Sequence, residues 1–314
     1  QLISLSISKT TIKKMKKQNI DYLVLETTSH ALAQYRVWGI KFSIAVMTNL
    51  THEHLDYHGS FENYRNAKVK LFKMTNKNKA GLQLGVINSD DENAKYFIKP
   101  IKNTLTYGIN TGDIKAFSID STPNGSSFQV TYNNDTYNIS CNIPGSFNIY
   151  NSLAALSVGI ALGLSKEQIE AGLSALDSVE GRMTKIDEGQ KFSVIIDFAH
   201  TPDSFEKLFK DLRPVVKGKL ITVFGSAGRR DEAKRPIQGE IAGRYSDEVV
   251  LTEEDDRDID GDQILKEISA GSEKAGKVLN QNLFLVKDRA EAIEFALKRA
   301  GAGDTVLLLG KGHE

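Results

Sequence analysis

Apolar residues along the chain fall in short runs that end on polar clusters, and these runs alternate with stretches of helical spacing. Strand-like runs at residues 22–25, 44–47 and 85–88 are interleaved with helical patterns over residues 9–18 and 64–74. That alternation predicts an α/β fold, a mostly parallel sheet covered by helices. Between about residues 105 and 142 the texture changes. Ser127-Phe128-Gln129-Val130-Thr131-Tyr132 and Asp135-Thr136-Tyr137-Asn138-Ile139 alternate with period two around Asn133-Asn134, which predicts antiparallel hairpins. Asn148 then opens a long apolar helix through Ala154, Ala155, Val158 and Leu162. From Phe192 a fresh strand and helix series begins, with apolar runs at 192–197, 220–224, 249–252 and 305–309. The domain boundary is placed near Asp177-Ser178-Val179-Glu180, giving domains 1–178 and 179–314, each long enough for its own core.

The run at 42–47 leads into Thr48-Asn49-Leu50-Thr51-His52-Glu53-His54-Leu55-Asp56-Tyr57-His58-Gly59, with three of the chain's six histidines and two carboxylates close together. Such a cluster is costly to bury without a charged partner, and the C-terminal ends of sheet strands are where α/β proteins bind ligands. His52-x-His54-x-Asp56 is similar to the opening of the metallo-β-lactamase zinc motif, but Tyr57 stands where that motif needs a further histidine. The other chemistry is a magnesium-dependent ATPase site with one imidazole as ligand. The 22–25 run likewise turns polar, into Glu26-Thr27-Thr28-Ser29-His30-Ala31-Leu32 and Arg36. Downstream, Ser60 is suited to cap a helix carrying Tyr64, Lys68, Leu71 and Phe72 on one side, so that Lys68 faces inward beside two large apolar residues. An inward lysine beside a metal site is unusual.

The second half carries its own signals at strand ends. Asp197 closes one apolar run, where a carboxylate suits a ribose hydroxyl, a metal or a helix cap before Phe205. The next run ends in Gly225-Ser226-Ala227-Gly228-Arg229-Arg230-Asp231-Glu232-Ala233-Lys234-Arg235, where glycines permit close backbone approach and basic residues converge. Two more runs end in Glu253-Glu254-Asp255-Asp256-Arg257 and in Gly310-Lys311-Gly312-His313-Glu314. Three successive strand ends with mixed charge suit a zwitterionic amino acid better than a purely anionic ligand.

Composition narrows the class further. Lys+Arg and Asp+Glu are equal at 40 each, so no charge excess points to nucleic acid or an anionic membrane surface. The lone Cys141 excludes an intrachain disulfide and fits a reducing compartment. No apolar run approaches the roughly 18 residues of a membrane span, which with the composition agrees with a soluble cytoplasmic enzyme; a monomer is the expectation for its assembly, though nothing in the residues specifies it.

In order along the chain, Glu26-Thr27-Thr28-Ser29-His30-Ala31-Leu32 with Arg36, Thr48 to Gly59, Tyr64-Arg65-Asn66-Ala67-Lys68, Gly145-Ser146-Phe147-Asn148-Ile149-Tyr150-Asn151, Gly181-Arg182-Met183, Asp197 to Asp203, Phe224 to Arg235 and Gly310 to Glu314 resemble the motifs of the Mur ligase family, within it the tripeptide-synthetase (MurE) type. Any one segment is weak evidence; together they span nearly the whole chain. The resemblance implies a central ATPase domain with a small antiparallel β subdomain, followed by a Rossmann-like C-terminal domain. It implies ATP-dependent amide bond formation through an acyl phosphate, with ATP and Mg2+ as cofactors and a UDP-N-acetylmuramoyl dipeptide and a diamino acid as partners. Carried over residue by residue, Glu26, His54 and a carbamylated Lys68 match the metal ligands. Asn148, Asn151, Arg182, Asp197 and His200 match nucleotide contacts, and Thr28 and Arg36 match contacts to the UDP-linked substrate. Arg230, Asp255, Arg257, Gly310 and Glu314 match the pocket for the incoming diamino acid.

This chain departs from the family pattern in four places. Glu53 replaces an aspartate before the metal histidine, and Ala227 replaces a glycine in the G-G-x-R-D turn. The amino-acid selectivity motif, D-N-P-R in enzymes that add meso-diaminopimelate, reads Glu254-Asp255-Asp256-Arg257 here. Arg257 favours diaminopimelate, whose far carboxylate it would pair, while the added acids favour lysine; the reading leans to diaminopimelate. Finally, no G-x-x-x-x-G-K-S/T phosphate loop occurs, and the chain begins with Gln1. The expectation is therefore a piece of a longer enzyme, inactive alone, that begins inside the central domain. The alternatives are a D-alanyl-D-alanine-adding or folylpolyglutamate ligase on the same scaffold, or a non-catalytic homologue that binds the UDP-muramoyl peptide.

Overall fold

The computed structural model describes residues 14–312 apart from 16, 52, 123–124 and 230. The chain divides into two compact units, residues 1–115 with 153–163 and residues 116–152 with 164–314.

In the first unit, β1 (Ile44–Met47), β2 (Leu84–Asn88) and β3 (Asn103–Gly108) form a parallel array, Ile44 opposite Leu84 and Leu84 opposite Asn103. The expected strands at 44–47 and 85–88 are therefore present. The run at 22–25 is not a strand: it is irregular, with Tyr22 64% and Val24 91% exposed. A strand is stabilised by a partner that accepts and donates along its ladder. Among the described strands β1 pairs with β2 alone, and none pairs with residues 22–25. The helix expected at 9–18 lies largely outside the described residues.

Helix α1 (Ser29–Ala33) precedes β1, and α2 (Leu55–His58) and α3 (Phe61–Lys77) run between β1 and β2. Ser60 caps α3 as its sequence position suggested, its hydroxyl accepting from the Asn63 N–H at 3.2 Å. Tyr64, Ala67, Phe72 and Thr75 form the buried stripe of α3. Phe72 meets Phe97 of α4 (Ala94–Ile98) edge to face, with ring centroids 5.1 Å apart. Gly85 of β2 makes room for this packing: a Cβ there would stand 3.2 Å from the Phe72 ring.

In the second unit, β4 (Ile114–Thr122) pairs antiparallel with β5 (Gly125–Tyr132), and β5 with β6 (Asp135–Cys141). The β5–β6 turn is Asn133-Asn134, both at positive φ (48° and 70°), the two-residue hairpin geometry that asparagine tolerates. Helix α5 (Ser146–Ala161) follows, of which residues 146–152 belong to this unit, and α6 (Lys166–Ser174) begins with a capping box from Ser165 and Gln168.

The larger sheet of this unit has the order β11-β10-β9-β12-β8-β7. Its members are β7 (Thr184–Ile186), β8 (Ser193–Asp197), β9 (Leu220–Phe224), β10 (Glu248–Leu251), β11 (Leu283–Leu285) and β12 (Thr305–Leu309); all pairs are parallel except β7 with β8. The central strands β9, β10 and β12 are buried at every position, as a sheet covered on both faces requires. One face is covered by α7 (Pro202–Leu212), α8 (Lys234–Tyr245) and α9 (Gly261–Lys274) around Phe205, Phe209, Phe224 and Ile268; the other packs α10 (Arg289–Arg299) over Val223, Val250, Ala292 and Ala296. The sequence of strand ends on this sheet is where the polar clusters read from the chain fall.

Candidate functional site

In the first unit the polar clusters after residue 25 and after β1 are built around one knot of rings. His30 lies 4.3 Å from the Tyr57 ring, 4.8 Å from His54 and 5.5 Å from His58, centroid to centroid. His58 Nε2 is 3.0 Å from Ser29 Oγ, and Tyr64 of α3 packs against both His54 and His58. His54 sits in the left-handed region (φ 57°), with Nε2 3.4 Å from the Glu53 carboxylate. Lys68 projects inward as expected, its Nζ 5.4 Å from the Tyr64 ring centroid. Burial pushes its ammonium below the usual lysine range, while Glu53 and Glu26 pull it back up. Burial, reinforced by Glu53, pushes the Tyr64 hydroxyl far above its ordinary value.

Glu26, Glu53, His54 and Lys68 thus share one electrostatic neighbourhood. Among the described residues, no three His, Cys, Asp or Glu side chains gather into a metal cage. Carboxylates such as those of Glu26 and Glu53 are the oxygen donors that magnesium prefers, a metal typically held by one or two protein carboxylates together with phosphate and water. His52 lies outside the described residues, as does the side chain of Asp56, so the zinc triad falls outside them too. Thr28 caps α1, accepting from the Ala31 N–H at 3.1 Å, and its O–H remains a donor; Arg36 is exposed.

Residues that pattern reading passed over hold the loop after β1. Asn88 donates to the Thr48 carbonyl at 2.7 Å, Asp91 accepts from the Leu50 N–H at 2.7 Å, and the Tyr107 hydroxyl donates to the Met47 carbonyl at 3.1 Å. The signal for Asn88 was its place at the end of an apolar run; Tyr107 and Asp91 carried none.

In the second unit Asn148 and Asn151 lie one turn apart on α5. Asn148 Nδ2 donates to the Pro144 carbonyl at 2.8 Å, and Asn151 Nδ2 donates to Asn148 Oδ1 at 3.0 Å. Asp197, at the end of β8, is buried and is not the cap of α7; Thr201 is, with Ser204 completing a capping box. Asp197 instead accepts from the Met183 N–H at 2.9 Å and the Ala199 N–H at 2.8 Å, binding the segment before β7 to the end of β8. Burial raises its carboxyl, opposed by those N–H groups and by Arg182 and His200. Arg182 lies over the Phe198 ring at 4.7 Å, and His200 stacks edge to face on the same ring at 4.8 Å. These five residues therefore form two clusters, Asn148 with Asn151 and Arg182 with Asp197 and His200.

The strand ends of β9, β10 and β12 form a third cluster. The loop 225–228 lies against residues 252–256 backbone to backbone. A Cβ on Gly225 would overlap the Thr252 carbonyl, one on Gly228 would overlap that of Asp256, and the Gly228 N–H donates to the Asp255 carbonyl at 2.8 Å. Ala227, where the family pattern has glycine, is buried in this loop without needing positive φ. Arg257 Nε meets Asp255 Oδ2 at 2.7 Å. Glu254 is driven above its usual carboxyl range by burial, against Lys234, His200, Arg289 and Lys311, and its Oε2 is buried with no hydrogen-bond partner. Gly310 (φ 93°) packs on Glu254; a Cβ there would stand 3.1 Å from Oε2. Glu254 and Arg289 were not singled out as site residues from the sequence; Arg289 reads there as the start of an ordinary helix. Arg230 and Glu314 lie outside the described residues.

Comparison with known proteins matches residues 6–159 to the Mur ligase middle domain and residues 181–312 to the Mur ligase glutamate ligase domain. The chain is 44% identical over 315 aligned residues to a UDP-N-acetylmuramyl-tripeptide synthetase of Roseiflexus sp. (strain RS-1), covering 96% of this chain and 62% of that protein. It is 40% identical to a UDP-N-acetylmuramoyl-L-alanyl-D-glutamate--2,6-diaminopimelate ligase of Geobacillus kaustophilus, covering 98% of this chain and 63% of the relative. Among solved structures, one of a 2,6-diaminopimelate ligase of the same description superimposes with a TM-score of 0.62 at 32% identity, over 97% of this chain and 62% of that one. The chain thus spans about three-fifths of the length of these relatives.

Proposed function

Because this chain belongs to the Mur ligase family, we propose that it carries the nucleotide-handling and amino-acid-handling domains of a peptide ligase that joins a diamino acid to UDP-N-acetylmuramoyl-L-alanyl-D-glutamate in peptidoglycan precursor synthesis. The matched regions end at 159 and resume at 181, which supports domains of 1–178 and 179–314. The reading takes the enzyme to be cytoplasmic and monomeric, with ATP turnover in a polypeptide that supplies the phosphate loop this sequence lacks. No helix among the described residues is long and apolar enough to cross a membrane.

The observation that carries the reading is Lys68, an inward lysine between Tyr64 and two glutamates. A carbamate on Nζ would turn it from a cation that opposes metal binding into a carboxylate-like ligand beside Glu26 and His54. Magnesium, when bound there, neutralises phosphate charge. The chain's own residues do the rest by positioning. Asn148 and Asn151 face the base. Asp197 retains lone pairs beyond its two backbone bonds and takes a ribose hydroxyl, with Arg182 and His200 on the phosphate side. Thr28 and Arg36 touch the UDP-linked substrate. Arg230, Asp255, Arg257, Gly310 and Glu314 receive the incoming amino acid, whose amine displaces phosphate from the activated carboxyl.

The test is Lys68→Ala in the full-length enzyme. Ligation should be abolished and partly restored by a short carboxylate such as formate, which replaces the missing anion. Wild-type activity in the alanine variant would remove Lys68 from the mechanism.

A further inference from the structure

The loop that presents Glu53 and His54 leaves β1 with one strand beside it. Among the described strands β1 pairs with β2 alone, and the side chains that reach the end of β1 come from the β2 and β3 side. Three of them take hold of it in succession. The Tyr107 hydroxyl of β3 donates to the carbonyl of Met47, the last residue of β1, at 3.1 Å. Asn88, the last residue of β2, donates through Nδ2 to the Thr48 carbonyl at 2.7 Å, and Asp91 Oδ2 accepts from the Leu50 N–H at 2.7 Å.

The residue types suit this work. Asn88 uses both halves of its amide: while Nδ2 holds Thr48, Oδ1 accepts from the Asp90 N–H at 3.1 Å, and a carboxylate in its place would lack the donor. Asp91 uses both oxygens. Its Oδ1 accepts from the Asn93 N–H at 2.8 Å and from Asn93 Nδ2 at 3.2 Å, so an amide in its place could accept on one side only. Met47, Leu50, Asn88 and Asn93 are buried and Tyr107 is fully so, which makes each of these bonds costlier to lose than one on the surface.

What the clamp steadies follows at once in the chain. Leu50 precedes Glu53 and His54 by three and four residues, and His54 is a non-glycine residue in the left-handed region (φ 57°). Such a conformation persists where its surroundings over-determine it. Asp90, beside Asp91 in the chain, does different work: it accepts from the N–H groups of Ile109, Asn110 and Thr111 at 2.7, 2.9 and 2.9 Å and so pins the turn after β3.

We infer that Asn88 and Asp91 are positioning residues for the reaction: from the end of β2 they hold the loop after β1 so that Glu53 and His54 stand in the neighbourhood of Lys68. The inference deepens the ligase reading given above and rests on it.

The experiment compares the full-length parent with Asp91→Ala, the isosteric Asp91→Asn and Asn88→Asp, and with Asp90→Asn as a control. Hydrogen–deuterium exchange is followed by mass spectrometry on the peptide that contains Leu50, and kcat and KM are measured for ligation. Asp91→Ala should speed exchange at Leu50 about ten- to a hundredfold, the worth of one charge-assisted hydrogen bond, and Asp91→Asn should change it in the same direction by less. In Asp91→Ala and Asn88→Asp, kcat should fall about tenfold or more while KM for the diamino acid stays within about twofold, because misplaced reacting groups cost turnover. Asp90→Asn should lower the melting temperature and leave exchange at Leu50 and kcat at parent values. Parent-like exchange at Leu50 or parent-like kcat in the Asp91 variants overturns the inference, and Asp91→Asn decides by the same criteria if Asp91→Ala does not fold. An equal loss of kcat in Asp90→Asn overturns it too, since the effect is then a general loosening of this unit. A full-length parent that ligates neither L-lysine nor meso-diaminopimelate overturns the ligase reading itself, and the inference with it.

Discussion

Adding one methyl group at Gly228 should damage the protein more than adding one at Gly172, although both changes are glycine to alanine. At Gly228 the new Cβ would stand 2.6 Å from the Asp256 carbonyl carbon and closer still to its oxygen, while Ile259 Cγ1 lies 3.2 Å away. Carbon atoms in contact settle near 3.5–4.0 Å, so the two loops must part by roughly 1 Å. The obstacle is backbone, which no rotamer change relieves. Separation would stretch the 2.8 Å bond from Gly228 N–H to the Asp255 carbonyl. Overpacking of this kind costs about 1–3 kcal/mol, and a lost hydrogen bond about 1 kcal/mol more. At Gly172, within α6, no atom lies within 4 Å of the new Cβ, so alanine should stabilise by about 0.5–1 kcal/mol through helix propensity. Thermal unfolding of the two variants beside the parent measures this. We expect Gly228→Ala to melt roughly 4–16 °C lower and Gly172→Ala slightly higher, at about 2–4 °C per kcal/mol for a domain of this size. Because the Gly228 loop also fixes Asp255, its variant should lose ligation through amino-acid binding before ATP binding. Equal melting temperatures for Gly228→Ala and the parent would refute the steric argument.

Three further outcomes follow from the geometry. Glu248 is 7% exposed in its side chain and is bonded by Arg299 at 2.5 Å and Lys219 at 3.2 Å; burial raises its carboxyl, but these two cations outweigh burial and hold it below its ordinary value near 4.5. Its contribution is then complete above that value and lost as pH falls through the lower folded-state pKa, so Glu248→Gln should destabilise by roughly 1.5–3 kcal/mol at pH 7, with the gap to wild type closing in acid; a gap independent of pH would contradict it. Phe72→Ala should cost about 3–5 kcal/mol, since the ring is 1% exposed and packed on Phe97; a loss under 1 kcal/mol by urea titration would show that the site collapses freely. Asn151→Ala in the full-length enzyme should raise KM for ATP about tenfold and leave that for the muramoyl peptide unchanged, whereas equal rises would move Asn151 away from the base.

The regular parts of the fold were legible because burial on one or both faces leaves a period that a chain cannot hide. The runs at 220–224 and 305–309 match β9 and β12 residue for residue, and Asn133-Asn134 announced the hairpin between β5 and β6. The run at 22–25 shows the limit: its apolar character says that it is meant to be covered, not by what, and here Val24 is almost fully exposed. At the site, strand-end position disclosed Asp197 and the charged loops but not their partners. Which carboxylate occupies Arg257, and that Glu254 keeps an oxygen unpaired, depend on turn geometry at Arg257 and Asp258, two non-glycine residues at positive φ that no propensity foretells. For Asp197 the sequence left a ribose contact, a metal and a helix cap open; Thr201, nearer the helix, takes the cap, and the aspartate binds the backbone of Met183 and Ala199.

The most direct measurement is product formation by the full-length enzyme supplied with ATP, magnesium, UDP-N-acetylmuramoyl-L-alanyl-D-glutamate and L-lysine or meso-diaminopimelate, followed by mass spectrometry together with phosphate release. The account predicts a UDP-muramoyl tripeptide and one phosphate per amide bond, with neither formed when any one substrate is withheld. Phosphate release without amide formation, or no dependence on the muramoyl dipeptide, would contradict it.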